Sequence, residues 1–222
     1  MSYKMKLATA LFSTLFASSA SAAPIVLDFE GVGDGASILN FYNGGTDSQG
    51  NSGANYGIAF GSNTLGLIDS DAGGGGNFGN EPSPNTVMFF LSGSAILNNA
   101  AGFDTGFSFF YSSATTAVVN VYDGLNATGT LLGSINLTAQ STNNCIGDPT
   151  GTFCNFSAAG VGFAGVAHSI DFGGTVNQIG FDNITFGSAT PSVDVPEPGT
   201  LALLGLGLFG ASAARRKSKR TS

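Results

Sequence analysis

Three features of the sequence predict an all-β chain, folded as an antiparallel β-sandwich of jelly-roll form. Short runs of Phe, Val, Ile and Thr recur between clusters of Gly, Asn and Asp, and no window of ten or more residues carries a 3.6-residue apolar stripe. Sixteen of the 19 Phe and 30 of the 34 Gly fall between Ala23 and Asp194, so this stretch can bury a core while turning often. No repeat with a period of 20–50 residues is visible, which argues against a solenoid or propeller. The body, 23–190, has the size of one domain.

Nine runs read as strands. Residues 25–30 (IVLDFE), 56–60 (YGIAF), 64–68 (TLGLI) and 86–91 (TVMFFL) come first. Residues 106–112 (GFSFFYS), 117–123 (AVVNVYD), 130–137 (TLLGSINL), 167–172 (AHSIDF) and 177–186 (NQIGFDNITF) follow. The last run changes phase. Ile179 and Phe181 fall on one face, and Ile184 and Phe186 on the other. A β-bulge near Asp182-Asn183 brings all four to one side; a strand buried on both faces needs none. The glycine-rich piece from Asp69 to Asn80, with four consecutive Gly at 73–76, reads as a mobile surface loop.

Two helices are expected outside the body. Residues 1–22 read as a secretory signal helix: Lys4 and Lys6 are followed by apolar residues from Leu7 to Ala17. Ala20 and Ala22 then supply the small residues that signal peptidase accepts. At the other end, 191–198 reads as an extended linker closing on Val195-Pro196-Glu197-Pro198, because each Pro fixes φ and disfavours helix in the residue before it. Residues 199–214 form an apolar stretch of transmembrane type, a little shorter than the roughly 17–25 residues that cross a bilayer. The tail 215–222, with Arg215, Arg216, Lys217, Lys219 and Arg220, is expected to stay cytoplasmic and leave the body outside.

The order Pro-Glu-Pro, apolar helix, Arg-rich end resembles the PEP-CTERM sorting signal of exported proteins in Gram-negative bacteria. The resemblance implies recognition by an exosortase, a membrane-embedded cysteine protease, and removal of the helix. It also implies transient anchoring in the inner membrane, a final place in the envelope, surface or extracellular matrix, and a link with exopolysaccharide and biofilm. A plain C-terminal anchor shares every feature except the cleavage.

Charge excludes several functions for the body. All seven Lys and Arg lie at the chain ends, whereas thirteen of the fourteen carboxylates lie between Ala23 and Asp194. Such a body repels a phosphate backbone and lacks the cation that grips a nucleotide, so no nucleic-acid partner is expected. Catalytic patterns are missing too. There is no Gly-x-Ser-x-Gly elbow, and His168, the only histidine, would point away from Ser169 on a strand. The chain therefore reads as a non-enzyme, with a secreted hydrolase using acidic residues on polysaccharide as the alternative. Cys145 and Cys154 frame the turn sequence Asp148-Pro149-Thr150-Gly151, and in an oxidising compartment they are expected to form a structural disulfide.

Two binding sites are expected. Residues 41–57 combine Tyr42 and Tyr56 with polar, flexible neighbours and form the candidate loop for a matrix polysaccharide, or else a plain solvent loop. The second is a structural Ca²⁺ site at Asp28 and Glu30, alternating along the first strand, with Asp182 at the possible bulge of the last. Crowded carboxylates with no internal cation favour a bound dication. The pairing of an early Asp-Phe-Glu with a late Phe-Asp-Asn-Ile resembles jelly rolls of the carbohydrate-binding-module and MAM types, which implies acids shared by a structural Ca²⁺.

Overall fold

The computed structural model describes residues 24–146 and 151–192. Ala20 and Ala22, the turn at 147–150, the motif Val195 to Pro198, the apolar stretch 199–214 and the tail 215–222 lie outside the described residues.

Eleven strands form among the described residues. In order they are β1 (Ile25–Leu27), β2 (Ile58–Phe60), β3 (Thr64–Ile68), β4 (Thr86–Phe90), β5 (Ala95–Phe103), β6 (Gly106–Ser113), β7 (Ala117–Tyr122), β8 (Leu131–Leu137), β9 (Ser157–Gly162), β10 (Ala167–Phe172) and β11 (Ile179–Phe186). One sheet runs β3-β4-β11-β6-β9, with β1 also paired to β11, and the other runs β2-β5-β10-β7-β8. All pairings are antiparallel. From β4 onward, every connection except that between β7 and β8 crosses to the opposite sheet. The eight strands thereby interleave as β4-β11-β6-β9 facing β5-β10-β7-β8, which is the strand order of a jelly roll built from two Greek keys.

Phenylalanines join the two sheets. Phe172 on β10 lies 5.9 Å from both Phe107 and Phe109 on β6, and 4.9 Å from Phe181 on β11, ring centre to ring centre. All four are fully buried, and each such ring contributes on the order of 2–3 kcal/mol by leaving water. Strict alternation sets the inward face where sequence allows it: Ala117, Val119 and Val121 of β7 are buried, while Val118 between them is exposed.

The phase change in β11 is a bulge. Its register to β6 slips between Asp182, opposite Phe110, and Thr185, opposite Ser108, and Asn183 takes the left-handed φ of 47°. One extra residue is accommodated, so Ile179, Phe181, Ile184 and Phe186 all reach the core. The bulge falls where the free edge of β11 passes from β4, paired at Phe181, to β1, paired from Ile184 to Phe186.

Two strands escaped the sequence reading. β5 carries polar or small residues (Asn98, Asn99, Ala100, Ala101) in its middle, and β9 is made of Ser, Ala, Gly and one Val. In β9 the small residues serve close packing: a Cβ on Gly160 would strike the Ala189 carbonyl, where the chain after β11 lies across the sheet. The segment 69–80 corrects the expectation of a mobile loop. It makes a 3-10 turn at Ser70–Ala72, and the amides of Gly74 and Gly76 donate to the carbonyls of Asp69 and Ile68. Phe78 is buried, and Gly74 sits so close to Ile68 that a Cβ would meet its carbonyl. The glycines permit contact here rather than motion.

Candidate functional site

Tyr42 does not face solvent, which corrects its assignment to an exposed platform. Tyr42 is 3% exposed, its ring packs edge-on against Phe29 and Phe41, and its hydroxyl accepts a hydrogen bond from the Phe29 amide at 2.8 Å. Burial, reinforced by the nearby charge of Asp28, holds its pKa well above the usual phenol value. Tyr56 is half-buried and stacks on Tyr42. The segment folds onto itself because its polar groups find internal partners. Asp47, buried, accepts from the amides of Gly33, Gln49 and Asn51, and Phe41 and Tyr42 carbonyls take the amides of Gly53 and Tyr56.

Near the junction of β1, β4 and β11, the Ser83 hydroxyl lies within hydrogen-bond distance of the Asp28 carbonyl and of Asp182, and Glu30 lies within electrostatic reach of both acids. Asp28 and Glu30 do not alternate along a strand as expected, since β1 ends at Leu27 and Phe29 takes a φ of 60°. Asp182 is fully buried at the bulge and accepts hydrogen bonds from the Ser83 amide (2.8 Å), the Ser83 hydroxyl (2.8 Å) and the Asn183 amide (2.6 Å). Glu30 accepts from the Thr86 amide at 2.9 Å, and Asp28 from the Glu30 amide at 3.2 Å.

These residues do not fit a Ca²⁺ site. Calcium takes six to eight oxygens, yet both Asp182 oxygens already face protein donors. Among the described residues no group of three or more His, Cys, Asp or Glu is disposed to hold a metal ion. Protonation relieves the crowding instead. Burial outweighs the hydrogen bonds to Ser83 and Asn183 and, with the charge of Glu30, pushes Asp182 up to about 7. Glu30 is likewise pushed up to about 7 by burial and by the charges of Asp28 and Glu81, against the opposing Thr86 hydrogen bond.

No catalytic arrangement forms around His168. Its Nδ1 lies 3.2 Å from the Asn99 carbonyl, while the buried Ser169 hydroxyl donates to the Gly124 carbonyl and accepts from the Ala127 amide. Ser169 is thus a structural clamp on the 123–130 turn.

A polar cleft lies at the end of the sandwich where β6 finishes and β11 starts. Its volume is about 260 Å³, close to the lower bound of small-molecule sites, roughly 300 Å³. Asn77 comes from the glycine-rich segment, Ser141, Asn143, Thr152 and Phe153 from the disulfide segment, and Asn177 and Gln178 from the turn before β11. The walls are tied together. Cys145 and Cys154 form the expected disulfide, with Cα atoms 4.9 Å apart. Asn77 exchanges two hydrogen bonds with Thr152, one through each main chain and side chain, at 2.8 and 2.7 Å. The Asn177 amide donates to the Phe90 carbonyl, and the Ala114 amide to that of Gln178. An apolar groove of about 30 Å³, lined by Leu67, Phe78, Val87, Phe89 and Phe156, opens beside it and shares Phe153. Among the described residues no titratable side chain lines either space.

A family model for the PEP-CTERM protein-sorting motif matches residues 194–217. The chain carries a PEP-CTERM sorting motif. It includes Val195, Pro196, Glu197 and Pro198 and indicates an exported, cell-surface-directed protein. No curated protein matches the sequence. Among solved structures, a family 6 carbohydrate-binding module is similar at 13% identity and a TM-score of 0.35, over 58% of this chain and 85% of that one. CsCBM6-3 from Clostridium stercorarium, in complex with cellobiose, is similar at 17% and 0.35, over 57% and 82%. The catalytic domain of a GH87 alpha-1,3-glucanase in complex with tetrasaccharides is similar at 15% and 0.32, over 51% of this chain and 24% of that one. These likenesses are remote, and the jelly-roll assignment rests on the strand order of the chain itself.

Sequence reasoning passed over the cleft because its residues come from five separated segments. A signal was present nonetheless: Asn143-Asn144 beside one cysteine and Thr152-Phe153 beside the other place amides, a hydroxyl and an aromatic on a single staple.

Proposed function

We propose that this chain is an exported, non-catalytic polysaccharide-binding protein of the envelope or extracellular matrix, held at the membrane by its C-terminal segment until an exosortase cuts at Pro-Glu-Pro. The cleft beside the disulfide carries the reading. A sugar presents hydroxyls that donate and accept, and an apolar C–H face. Carboxamides and hydroxyls answer the first, and a half-buried ring, Phe153, answers the second. The sorting motif supports it by directing the chain to the cell surface, where a matrix polysaccharide is within reach. Against a hydrolase, the acids with strongly raised pKa values among the described residues are Glu30 and Asp182, and Asp182 has no exposed surface with which to touch a substrate.

Co-sedimentation of the full-length chain with the producer's own insoluble exopolysaccharide tests the proposal. Phe153→Ala is expected to weaken retention roughly tenfold, the equivalent of about 1.4 kcal/mol, while Tyr56→Ala leaves it unchanged. Release of reducing ends from the polymer, or equal retention of wild type and Phe153→Ala, would contradict it.

A further inference from the structure

We infer that the cleft beside the disulfide takes uncharged polysaccharide and rejects polymers carrying uronate, sulfate or phosphate groups. The inference rests on the reading of the cleft as a glycan site and names its ligand class. Its polar groups are the carboxamides of Asn77, Asn143, Asn177 and Gln178 and the hydroxyls of Ser141 and Thr152. A carboxamide offers both donors and acceptors, which suits a neutral hydroxyl, itself both at once. The Asn143 and Asn177 side chains make no hydrogen bond within the described residues, whereas the Asn77 amide nitrogen is spent on Thr152.

An anionic glycan would find no charge to meet. Carboxylate, sulfate and phosphate are held by Arg or Lys through charge-assisted hydrogen bonds, and between Ala23 and Asp194 the chain has neither. Contacts elsewhere on the body cannot compensate, because the thirteen carboxylates of the same stretch set up a repulsive field. That field reaches about 8 Å at physiological ionic strength and farther at low salt. The absence of basic residues, spread over the whole body, thus acts as a filter: in a matrix containing both kinds of polymer, only the neutral kind can approach and stay.

Affinity electrophoresis of the full-length chain in gels containing dextran, starch, galactomannan or hydroxyethyl cellulose, and in gels containing alginate, tests this, with EDTA present to remove bridging cations. Retardation is expected in at least one neutral polymer, unchanged from about 20 to about 500 mM salt, and weakened about tenfold in Asn177→Ala. A full-length variant with Lys4, Lys6, Arg215, Arg216, Lys217, Lys219 and Arg220 replaced by Gln, which removes the basic ends from the comparison, is expected to show no retardation in alginate at any salt. Binding of that variant to alginate that weakens as salt rises would overturn the selectivity while leaving a polysaccharide-binding protein in place. Failure in every polymer, with a normal unfolding transition, would overturn the glycan reading itself and the inference with it.

Discussion

The unfolding midpoint falls as the pH rises from 3.8 to about 7, because Asp182 keeps its proton in the folded chain across that window. The unfolded chain releases this proton at the lower value and the folded chain only at the higher, so folding takes up a proton between them. The stability conferred by neutral Asp182 is complete below the unfolded pKa and is lost as the pH climbs through the folded one. A shift from 3.8 to about 7 corresponds to on the order of 4 kcal/mol. Glu30 acts in the same direction, reduced by its exposure to solvent. Asp47 acts in the opposite sense. Burial would raise it, but the hydrogen bonds from Asn51, Gly33 and Gln49 hold it below the usual carboxylate range, so its contribution disappears as the pH falls through that lowered value. Stability is therefore greatest in mild acid. Asp182→Asn, which is neutral at every pH, is expected to flatten the slope. Asp182→Ala strands the Ser83 and Asn183 amides in the core, while the Ser83 hydroxyl keeps the Asp28 carbonyl, and is expected to cost about 3–5 kcal/mol near pH 4, where Asp182 is neutral, and less as the pH rises. Thermal unfolding at several pH values across the window checks both variants, and a midpoint that stays level or rises in the wild type would contradict the account.

Removing the disulfide has the second large effect. Cys145 and Cys154 are nine residues apart, and closing that loop restricts the unfolded chain by about 2.5 kcal/mol. For a chain of this size the loss lowers the midpoint by roughly 5–10 °C. The same cut reaches the cleft, since Asn143, Thr152 and Phe153 flank the two cysteines and Gly79 packs against Cys145. With the wall no longer held in place, binding must pay for ordering it, and affinity falls alongside stability. The paired substitution Cys145→Ser and Cys154→Ser, compared with wild type with and without reductant, is expected to show both losses. An unchanged midpoint after complete reduction would contradict this part of the account.

Much of the architecture is legible in the sequence where side-chain period and turn chemistry agree. The run 64–68 coincides with β3, and the phase of four apolar residues left a bulge near Asp182 as one of two readings, of which the structure has the bulge. β5 and β9 were hidden because their pairing depends on neighbours rather than on their own composition. Asn99 is buried in β5 and accepts from the amides of Ala101 and Gly102, and the glycines of β9 matter only because Ala189 lies over them. The same limit governed the sites. Tyr42 reads as a loop residue until the structure shows Phe29 and Phe41 around it and the Phe29 amide on its hydroxyl. Glu30 lies within electrostatic reach of Asp28 and Asp182, but the Ser83 donors that occupy Asp182 lie 99 residues away in the chain. The cleft was less legible still, as its walls come from the turns at Asn77, Asn143, Phe153 and Asn177, joined only by folding.

Hydrogen–deuterium exchange of the full-length chain, alone and with saturating exopolysaccharide, tests the central claim most directly. The account predicts new protection at Asn77, at 141–146 and 151–154, and at Asn177 and Gln178, with the 41–57 segment unchanged. Protection confined to 41–57, with the disulfide segment exchanging as before, would contradict it.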